Sequence, residues 1–382
     1  MEVLLKILKY PFRFIPLLVS VIVLAFSLAE ANNERLNAEI EEQIQRIQSL
    51  EKSYASGEIA PVDQSAFFNG DLQAELDAGL KFNELRYTAT HNSYQTESVD
   101  VIKQIYGKLS DLTFGLIPET MADFVSPTLT EQLNSGIYSF EIDVEVFDRN
   151  GDISFTCMHS PCLEMTTSCY DFALAMKEIA MWSDNNPDHL PITIIIEPKE
   201  LFIPMEDMKV LNLDYTKELD KVLREVLGDR LFTPDDMLRE YESFGEMRRA
   251  DDWCEVKDML GKVLIFFHEC NTTEGYMDLD PSLRTQAMFP MLRAKDINRD
   301  CASFLLINKP EDEFDDIKEA LANKFIVRTR SDEFTSISEK RREKAFESGA
   351  QIISTDHPVK PGLAADDYVV CFDNMKTVSV NK

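Results

Sequence analysis

Positively charged residues are scarce in this sequence relative to acidic ones. The 382 residues include 39 lysines and arginines against 68 aspartates and glutamates, which gives a formal net charge of -29 at pH 7. A field of this sign repels nucleic-acid phosphates and anionic membrane surfaces unless local basic clusters oppose it. We therefore predict no nucleic-acid partner. The acidic excess fits an exported protein or one from a salty medium, where screening relieves self-repulsion.

Cysteine spacing typical of a zinc site is also absent. The chain has seven cysteines, of which Cys157, Cys162 and Cys169 fall in one loop-like stretch while the other four are dispersed. This spacing matches no zinc motif, and an odd number leaves at least one cysteine unpaired. We predict a local disulfide within this group of three, and buried thiols are the alternative.

The chain lacks internal repeats and low-complexity tracts, but it has a long apolar run near its N-terminus. Lys6, Lys9 and Arg13 precede this run, which covers Phe14–Ala29 and is followed by small residues around Ala31. The pattern predicts that residues 1–31 are a secretory signal peptide or an uncleaved signal anchor. Cleavage is favoured because the run is short for a membrane span. We therefore expect an exported protein, secreted, periplasmic or otherwise extracytoplasmic, with anchoring through the uncleaved segment as the alternative.

Residues 32–71 are predicted to be an N-terminal helix and a connector, ahead of one large domain over residues 72–382. Apolar residues recur at helical spacing from Leu36 to Leu50, over a length too short for a coiled coil. This helix either packs on the outside of the domain or is a stalk near a membrane. Glycines and a proline within Ala55–Asp71 indicate the connector.

Short β-type runs alternate with helical segments through the large domain. The predicted strands are Leu85–Thr90, Tyr138–Val146, Ile192–Glu197, Val263–His268, Phe304–Asn308, Phe325–Thr329 and Gln351–Ser354. The predicted helices are Asp171–Trp182, Thr216–Leu227, Asp312–Ala322 and Glu333–Ser348. Alternation of this kind predicts parallel strands, and this number of units is typical of a (β/α) barrel. A doubly wound sheet is the alternative.

Polar side chains lie at the ends of the predicted strands, where a barrel carries its catalytic groups. His91 and Asn92 follow the first strand, and Glu141 and Asp143 lie two residues apart in the second. Two carboxylates at this spacing share one face of a strand. With Glu197 at the end of the third strand, one amide oxygen and three carboxylates would supply four hard oxygen ligands. This donor set predicts a Ca²⁺ site, with Mg²⁺ as the second choice.

His159 follows another short β-type run and is the second candidate histidine. Two histidines from different loops would supply an acid and a base near neutral pH, as cleavage of a phosphodiester requires. Lys199, Lys309 and Arg328 stand at other strand ends and are candidates for binding a substrate phosphate. We interpret His189, in a proline-bounded loop, as structural or surface-exposed.

Six segments carry a family resemblance through their order along the chain. They are Thr88–Tyr94, Gly136–Val144, His159–Pro161, Ile196–Lys199, Ile326–Arg330 and Ser348–Asp356. Together they resemble the calcium-dependent phosphoinositide-specific phospholipase C family, in the stand-alone form found in bacteria and fungi. The resemblance implies an irregular TIM (β/α) barrel of the PLC-like phosphodiesterase type, in keeping with the alternation of strands and helices.

The resemblance also implies roles for individual residues. His91 and His159 would be the catalytic histidines, and Glu141 could take a proton from the attacking hydroxyl. The implied Ca²⁺ ligands are Asn92, Glu141, Asp143 and Glu197. In the implied reaction the inositol 2-hydroxyl attacks the adjacent phosphorus of a phosphatidylinositol-type lipid, which gives a cyclic inositol phosphate and releases diacylglycerol. We expect a phosphoinositide or inositol phosphodiester substrate, contact with a membrane surface, and a monomer.

Two positions depart from the family pattern. Tyr138 stands where an arginine is usual, which removes a structural or phosphate-facing cation, and His357 stands where an aromatic residue is commoner. A glycerophosphodiester phosphodiesterase is the rival enzyme, but its His-Arg-Gly segment is absent here. A catalytically inactive, exported binding protein on the same barrel is the alternative from another class. The presence of both histidines and all four candidate ligands argues against it.

Overall fold

The computed structural model describes residues 37–98, 100–113, 125–159, 166–199, 206–333, 336–363 and 367–381. The predicted signal segment, residues 1–31, lies outside these ranges. Within them, every helix is too short or too polar to cross a lipid bilayer.

The described part of the chain contains one sheet of eleven strands, numbered here in chain order. They are β1 (Leu85–Thr90), β2 (Ser139–Arg149), β3 (Asp152–Thr156), β4 (Ile192–Pro198), β5 (Met208–Lys209), β6 (Val263–His268), β7 (Met288–Arg293), β8 (Phe304–Leu306), β9 (Ile326–Arg330), β10 (Ile352–Thr355) and β11 (Val378–Val380). Eight of these strands run parallel, in the spatial order β1-β10-β9-β8-β7-β6-β4-β2. This order follows the chain around a barrel and excludes a doubly wound sheet.

The first and last strands of this row, β1 and β2, are joined by single hydrogen bonds and not by a regular ladder. The Ser93 amide donates to the Glu141 carbonyl oxygen over 2.9 Å, and the Glu141 amide donates to the Ser93 hydroxyl oxygen over 2.9 Å. The loop after β1 therefore bridges the gap in the wall. This irregular seam confirms the predicted irregular TIM barrel.

The two faces of β2 have different chemistry. Ile142, Val144 and Val146 pack into the main hydrophobic core. Glu141 and Asp143 alternate with them and lie on the opposite face, because successive side chains of a strand point to opposite sides. The strand is buried from Ser139 to Phe147, so its carboxylates are enclosed and not solvated.

Three short strands extend the barrel wall. β3 pairs antiparallel with β2 after a tight turn at Asn150 and Gly151, which both have positive φ values of 57° and 93°. Asparagine and glycine tolerate this conformation, and Asn-Gly is a common hairpin turn. The hairpin brings His159, just beyond β3, back beside the polar face of β2. Strand β5 also pairs with β2, and β11 pairs antiparallel with β1.

Helices cover the outside of the sheet. They are α1 (residues 37–55), α2 (Leu72–Asp77), α3 (Asp100–Thr113), α4 (Leu129–Asn134), α5 (Phe172–Asn185), α6 (Leu213–Leu227), α7 (Pro234–Leu238), α8 (Phe244–Arg249), α9 (Thr273–Leu279), α10 (Phe314–Ala322) and α11 (Glu339–Ser348). Side-chain caps define several boundaries: the Asp171 carboxylate accepts from the Leu174 amide at the start of α5, and Thr233 caps α7. Gly349, at φ 82°, ends α11 in the left-handed conformation that glycine adopts without strain.

Helix α1 packs against the barrel, as the first of the two alternatives for this segment predicts. Ile47 is buried, and the fully buried Gln43 side chain donates to the Asp171 carbonyl oxygen over 2.9 Å and accepts from the Asp171 amide over 2.8 Å. The connector that follows is also packed, since Phe68 belongs to the main hydrophobic core. Residues 37–71 are thus part of the same folded body as the barrel.

Strand β7 has no counterpart among the strands predicted from the sequence. Pro290 lies inside this strand, opposite Phe267 of β6. Proline normally argues against an interior strand because it lacks an N–H group to donate to the ladder. Burial of Met288, Phe289, Met291 and Leu292 between the neighbouring strands and the helices outweighs that preference.

The predicted disulfide is wrong for the two described members of the cysteine group. Cys157 and Cys169 are both buried free thiols, and Cys162 lies outside the described residues. Burial raises the pKa of both thiols, that of Cys169 to about 12. Backbone hydrogen bonding already joins the two segments, through the Cys157 amide and the Tyr170 carbonyl oxygen at 3.0 Å. The thiols therefore act as small buried apolar groups.

Candidate active site

The loop after β1 brings His91 and Asn92 to the polar face of β2. Asn92 has a φ of 47°, in the left-handed region that asparagine tolerates, and this turns the chain sharply after the strand. The hydrogen bonds of Ser93 to Glu141 then fasten the loop. The predicted neighbours from the first and second strands are thereby brought together.

The imidazole of His91 lies between two carboxylates. Its Nδ1 is 2.7 Å from Asp356 Oδ1, and its Nε2 is 4.0 Å from Glu141 Oε1. Arg330 lies beside Asp356, with its guanidinium 3.0 Å from the same Nδ1. Asp356 and Arg330 together hold Nδ1, which orients the ring and directs Nε2 towards Glu141. This is the arrangement of a histidine that exchanges a proton with substrate.

Glu141 is paired with the guanidinium of Arg328. Arg328 is only 1% exposed, and it also donates to the Ser354 hydroxyl oxygen over 2.9 Å. Burial raises the pKa of Glu141, but Arg328 and then His91 lower it more, so the net shift is downward. The sequence predicts that Arg328 binds a substrate phosphate. In the structure Arg328 is enclosed in the wall of the barrel, where its charge neutralises that of Glu141.

Asp143 and Glu197 share the ammonium group of Lys199. Lys199 Nζ lies 3.0 Å from Asp143 Oδ2 and 3.0 Å from Glu197 Oε2, and the Tyr94 hydroxyl donates to Asp143 Oδ2 over 2.7 Å. Burial raises the pKa of Asp143, and Lys199 opposes that rise. For Glu197 burial is outweighed by Lys199 and then by His268, so its pKa is lowered. Lys199 is thus an internal cation of the site.

His159 stands beside Asp143. It is half-buried at the end of the described stretch 125–159, and its proximity lowers the pKa of Asp143. The second candidate histidine therefore reaches the same group of carboxylates as the first. His189, by contrast, is fully buried away from this group and bonds to the Ser183 hydroxyl and the Leu190 carbonyl oxygen. The structural interpretation of His189 is confirmed.

The donor atoms fit a hard cation. Asn92 Oδ1 and Asp143 Oδ1 are buried and have no hydrogen-bond partner among the described residues. Oxygen atoms in this condition are costly unless a cation or water satisfies them, and amide and carboxylate oxygens are the ligands that Ca²⁺ prefers. Among the described histidine, cysteine, aspartate and glutamate side chains, no three are grouped as a metal site. Lys199 contacts Asp143 Oδ2 and Glu197 Oε2, and Arg328 contacts Glu141 Oε2.

Two further residues singled out from the sequence, Lys309 and Tyr138, take no part in the ion pairs described above. Lys309 is exposed, and its backbone amide bonds to Glu313 at the start of α10, apart from the ion pairs described above. Tyr138 is buried with its ring 6.1 Å from that of Trp182 on α5. It therefore faces the helical layer and not a phosphate, which identifies the family departure at this position as a change in packing.

Asp356 and Arg330 have no role among the predictions from the sequence, although both stand at strand ends. The signal that could have found Asp356 is its place directly after β10, the strand beside β1. Glu145 was missed as well. It continues the alternation of Glu141 and Asp143 along β2, but the family pattern draws attention only to the first two.

Comparison with known proteins identifies the family. Residues 152–382, well over half of the chain, match the family model for Ca²⁺-dependent phosphoinositide phospholipase C. The chain belongs to this family. It is therefore a phospholipase C-type phosphodiesterase, and calcium is its cofactor. The matched range contains His159, Glu197 and Lys199, whereas His91 and the β2 carboxylates precede it and depend on the geometry described above.

Two solved bacterial structures share the fold of this phospholipase C. The calcium-dependent phosphoinositol-specific phospholipase C from Pseudomonas sp. is 17% identical, with a TM-score of 0.55 over 83% of this chain and 99% of that chain. The Ca²⁺-dependent phosphatidylinositol-specific phospholipase C from Streptomyces antibioticus is 18% identical, with a TM-score of 0.50 over 72% of this chain and 95% of that one. At these identities the similarity shows the fold alone. No curated protein matches the chain in sequence.

Proposed function

We propose that the enzyme cleaves phosphatidylinositol-type lipids or related inositol phosphodiesters by attack of the inositol 2-hydroxyl on the adjacent phosphorus. A bond forms between the 2-oxygen and phosphorus, and the bond from phosphorus to the glycerol oxygen breaks. The products are a cyclic inositol phosphate and diacylglycerol. The observation that carries this proposal is the position of His91 between Asp356 and Glu141, beside the unpartnered oxygens of Asn92 and Asp143.

Glu141 takes up the proton of the 2-hydroxyl and can pass it to Nε2 of His91. Arg328 keeps Glu141 ionised and also makes it a weak base, because it lowers the pKa of the carboxyl group. The imidazole, whose Nε2 is 4.0 Å from Glu141, receives this proton and in its protonated form stabilises the negative charge that develops on the phosphoryl oxygens. Asp356 positions the ring for this task through its bond to Nδ1.

His159 donates the proton that the leaving glycerol oxygen needs. It is half-buried and close enough to Asp143 to lower the pKa of that carboxyl group, so we place it at the edge of the site where substrate can reach it. Asn92, Glu141, Asp143 and Glu197 are the residues that would hold Ca²⁺. When bound, the ion supplies positive charge that polarises the 2-hydroxyl and neutralises the phosphate. Lys199 holds two of these carboxylates in place, and the exposed Lys309 is the candidate contact for a lipid phosphate.

The decisive experiment follows the phosphorus chemistry directly. Purified enzyme is incubated with phosphatidylinositol and, separately, with glycerophosphoinositol, each with calcium or with a chelator, and phosphorus NMR monitors the products. We expect a cyclic inositol phosphate only with calcium. His159→Ala should lower turnover by about 10²- to 10⁴-fold, the usual contribution of a general acid. Its calcium affinity, measured by calorimetry, should stay at the wild-type value.

Two results would overturn the proposal. Release of glycerol phosphate without a cyclic phosphate would identify a glycerophosphodiester phosphodiesterase. Calcium binding without product from either substrate would indicate a binding protein on the same barrel. Near-normal turnover in His159→Ala would remove that residue from the catalytic assignment.

We infer the site of action from the N-terminal segment. The basic residues followed by an apolar run support export, and we propose that the enzyme works outside the cytoplasm as a monomer at a membrane surface. Detection of the native protein in the extracytoplasmic fraction tests the location. Sedimentation analysis of the purified enzyme tests its oligomeric state.

A further inference from the structure

Glu145 is a buried carboxylate on β2 for which the proposed reaction has no use. It is 1% exposed, and neither of its oxygens has a hydrogen-bond partner. No other carboxylate in the described ranges has both oxygens buried and unpartnered. Other buried carboxylates have their partners: Glu141 has Arg328, and Glu178 has Arg46 and the Thr130 amide. An ionised group in the condition of Glu145 is strongly destabilising unless a cation reaches it.

The position of Glu145 places it next to the proposed calcium site. It is two residues beyond Asp143, on the same face of β2, while Val144 and Val146 point into the main core. The next residue on this face, Phe147, packs with Met158 and Met208. Glu145 therefore lies between Asp143 on one side and an apolar cluster on the other.

The cation on this face of the strand is committed to other carboxylates. Lys199 makes its two ion pairs with Asp143 and Glu197, each at 3.0 Å, and makes none with Glu145.

The carboxylates around the site outnumber the cations that contact them. Glu141 is balanced by Arg328, and Asp356 lies 4.0 Å from Arg330. Three carboxylates on the other side of the site, Asp143, Glu145 and Glu197, face one cation, Lys199. Two negative charges are therefore left over when Glu145 is ionised, and one divalent ion would neutralise them.

We propose that Glu145 is an additional carboxylate of the calcium site, beyond the four predicted ligands. The inference rests on the proposed function, because it assumes that calcium binds at Asn92 and Asp143. Glu145 binds the ion through one of its two unpartnered oxygens. In the calcium-free protein the same carboxylate is a local source of instability, which ion binding relieves.

Calcium titration without any lipid tests the proposal. Isothermal titration calorimetry on metal-stripped protein is carried out for the wild type, for Glu145→Met and for Glu145→Gln. Methionine suits the neighbouring apolar cluster, so this variant removes the oxygens while filling the space. We expect calcium affinity to fall by at least about tenfold in Glu145→Met, the scale seen when groups that support a metal site are removed. Glu145→Gln keeps one carbonyl oxygen and should lose less.

Thermal denaturation provides a readout that a merely structural residue would not give. We expect Glu145→Met to have a higher Tm than the wild type in chelator, because an unpaired buried carboxylate is gone. The rise in Tm on adding calcium should be smaller than in the wild type, since binding is linked to stability. Glu225→Gln, an exposed glutamate on α6, removes the same charge far from the site and should change neither quantity.

The outcomes separate this proposal from the proposed function. Wild-type calcium affinity in Glu145→Met, together with loss of binding in Asp143→Asn, would overturn the role of Glu145 and leave the calcium site intact. Absence of calcium binding by the wild type would overturn the calcium site itself. A lower Tm of Glu145→Met in chelator would show that Glu145 is a structural residue.

Discussion

Adjacent residues at the end of β1 serve different parts of the proposed chemistry. Asn92 presents a buried amide oxygen without a partner, whereas the His91 ring is held by Asp356 and faces Glu141. In the proposed reaction Asn92 is therefore placed to bind the ion, and His91 is placed to transfer a proton. One backbone turn, made possible by the positive φ of Asn92, separates them.

This division predicts opposite effects of two neighbouring substitutions. Asn92→Ala removes an oxygen donor and should weaken calcium binding by at least about tenfold. His91→Ala should leave calcium affinity at the wild-type level but abolish most turnover. Calorimetry measures the affinity and product release measures the turnover. Equal losses of calcium affinity in both variants would contradict the separation of roles.

His189 predicts a pH dependence of stability that is independent of the active site. Burial lowers its pKa to about 4 from 6.5, so the folded protein holds the ring neutral where the unfolded chain protonates it. Its contribution is complete above pH 6.5 and is lost as the pH falls towards 4. Since each pKa unit corresponds to 1.36 kcal/mol, the loss amounts to about 3 kcal/mol.

The measurement is the free energy of unfolding from pH 7 to pH 4.5 for the wild type and for His189→Gln. Glutamine keeps a polar partner for Ser183 but does not titrate. We expect the variant to lose less stability across this range than the wild type. Parallel pH profiles for the two proteins would show that His189 does not titrate in this way.

At the scale of elements, helix α1 holds a segment that touches both histidine loops. We call residues 166–171 the bridging segment. The Ser168 amide donates to the Tyr94 carbonyl oxygen over 2.8 Å, and the Cys157 amide donates to the Tyr170 carbonyl oxygen over 3.0 Å. The bridging segment thus joins the loop after β1 to the end of β3. Helix α1 fixes it from outside through Gln43 and Asp171.

Gln43→Ala should therefore loosen both histidine loops. Loss of the two hydrogen bonds to Gln43 leaves the Asp171 amide unsatisfied, which costs about 1–3 kcal/mol, whereas the Asp171 carbonyl oxygen keeps the Ala175 amide as a partner. We expect faster hydrogen exchange in residues 91–95 and 166–171, together with a lower kcat. Gln45→Ala is the matched control, since Gln45 lies on the exposed face of the same helix. Equal exchange and kcat in the two variants would rule out this bracing role.

The strands also show how far local sequence patterns specify the elements. Seven of the eight parallel strands follow from β-branched and apolar runs that end in polar residues, and their bounds differ from the structure by only a few residues. β7 does not follow, because Pro290 opposes a strand locally while β6 and β8 on either side enforce one. Local propensity is a weak determinant where a strand is buried between two others.

For the whole molecule, the barrel collects residues that lie far apart in the chain. Glu141 and Arg328 are separated by 187 positions, and His91 and Asp356 by 265. β1 pairs with β10, and β2 pairs with β4, so their carboxyl ends meet at one edge. The site therefore depends on the completeness of the fold, including the irregular seam between β1 and β2.

The net charge of -29 predicts that salt stabilises the folded molecule. Raising NaCl from about 10 mM to about 150 mM shortens the Debye length from about 30 Å to about 8 Å, which screens long-range repulsion more than close ion pairs. We expect Tm, measured by calorimetry in chelator, to rise over this range. Choline chloride should have the same effect, because the screening is not specific to sodium. A fall in Tm would show that the screened surface ion pairs outweigh the repulsion.

The sequence by itself determined the alternation of strands and helices, the shared face of Glu141 and Asp143, and the oxygen-rich donor set that predicts calcium. These follow from local rules, since side chains alternate along a strand and polar residues mark its end. Only the tertiary structure decided that Arg328 neutralises Glu141, that Lys199 joins Asp143 to Glu197, and that Asp356 orients His91. It also left Glu145 buried without a partner. The pairing of charges depends on which strand ends meet across the barrel. A local sequence pattern carries no information about the distances between them.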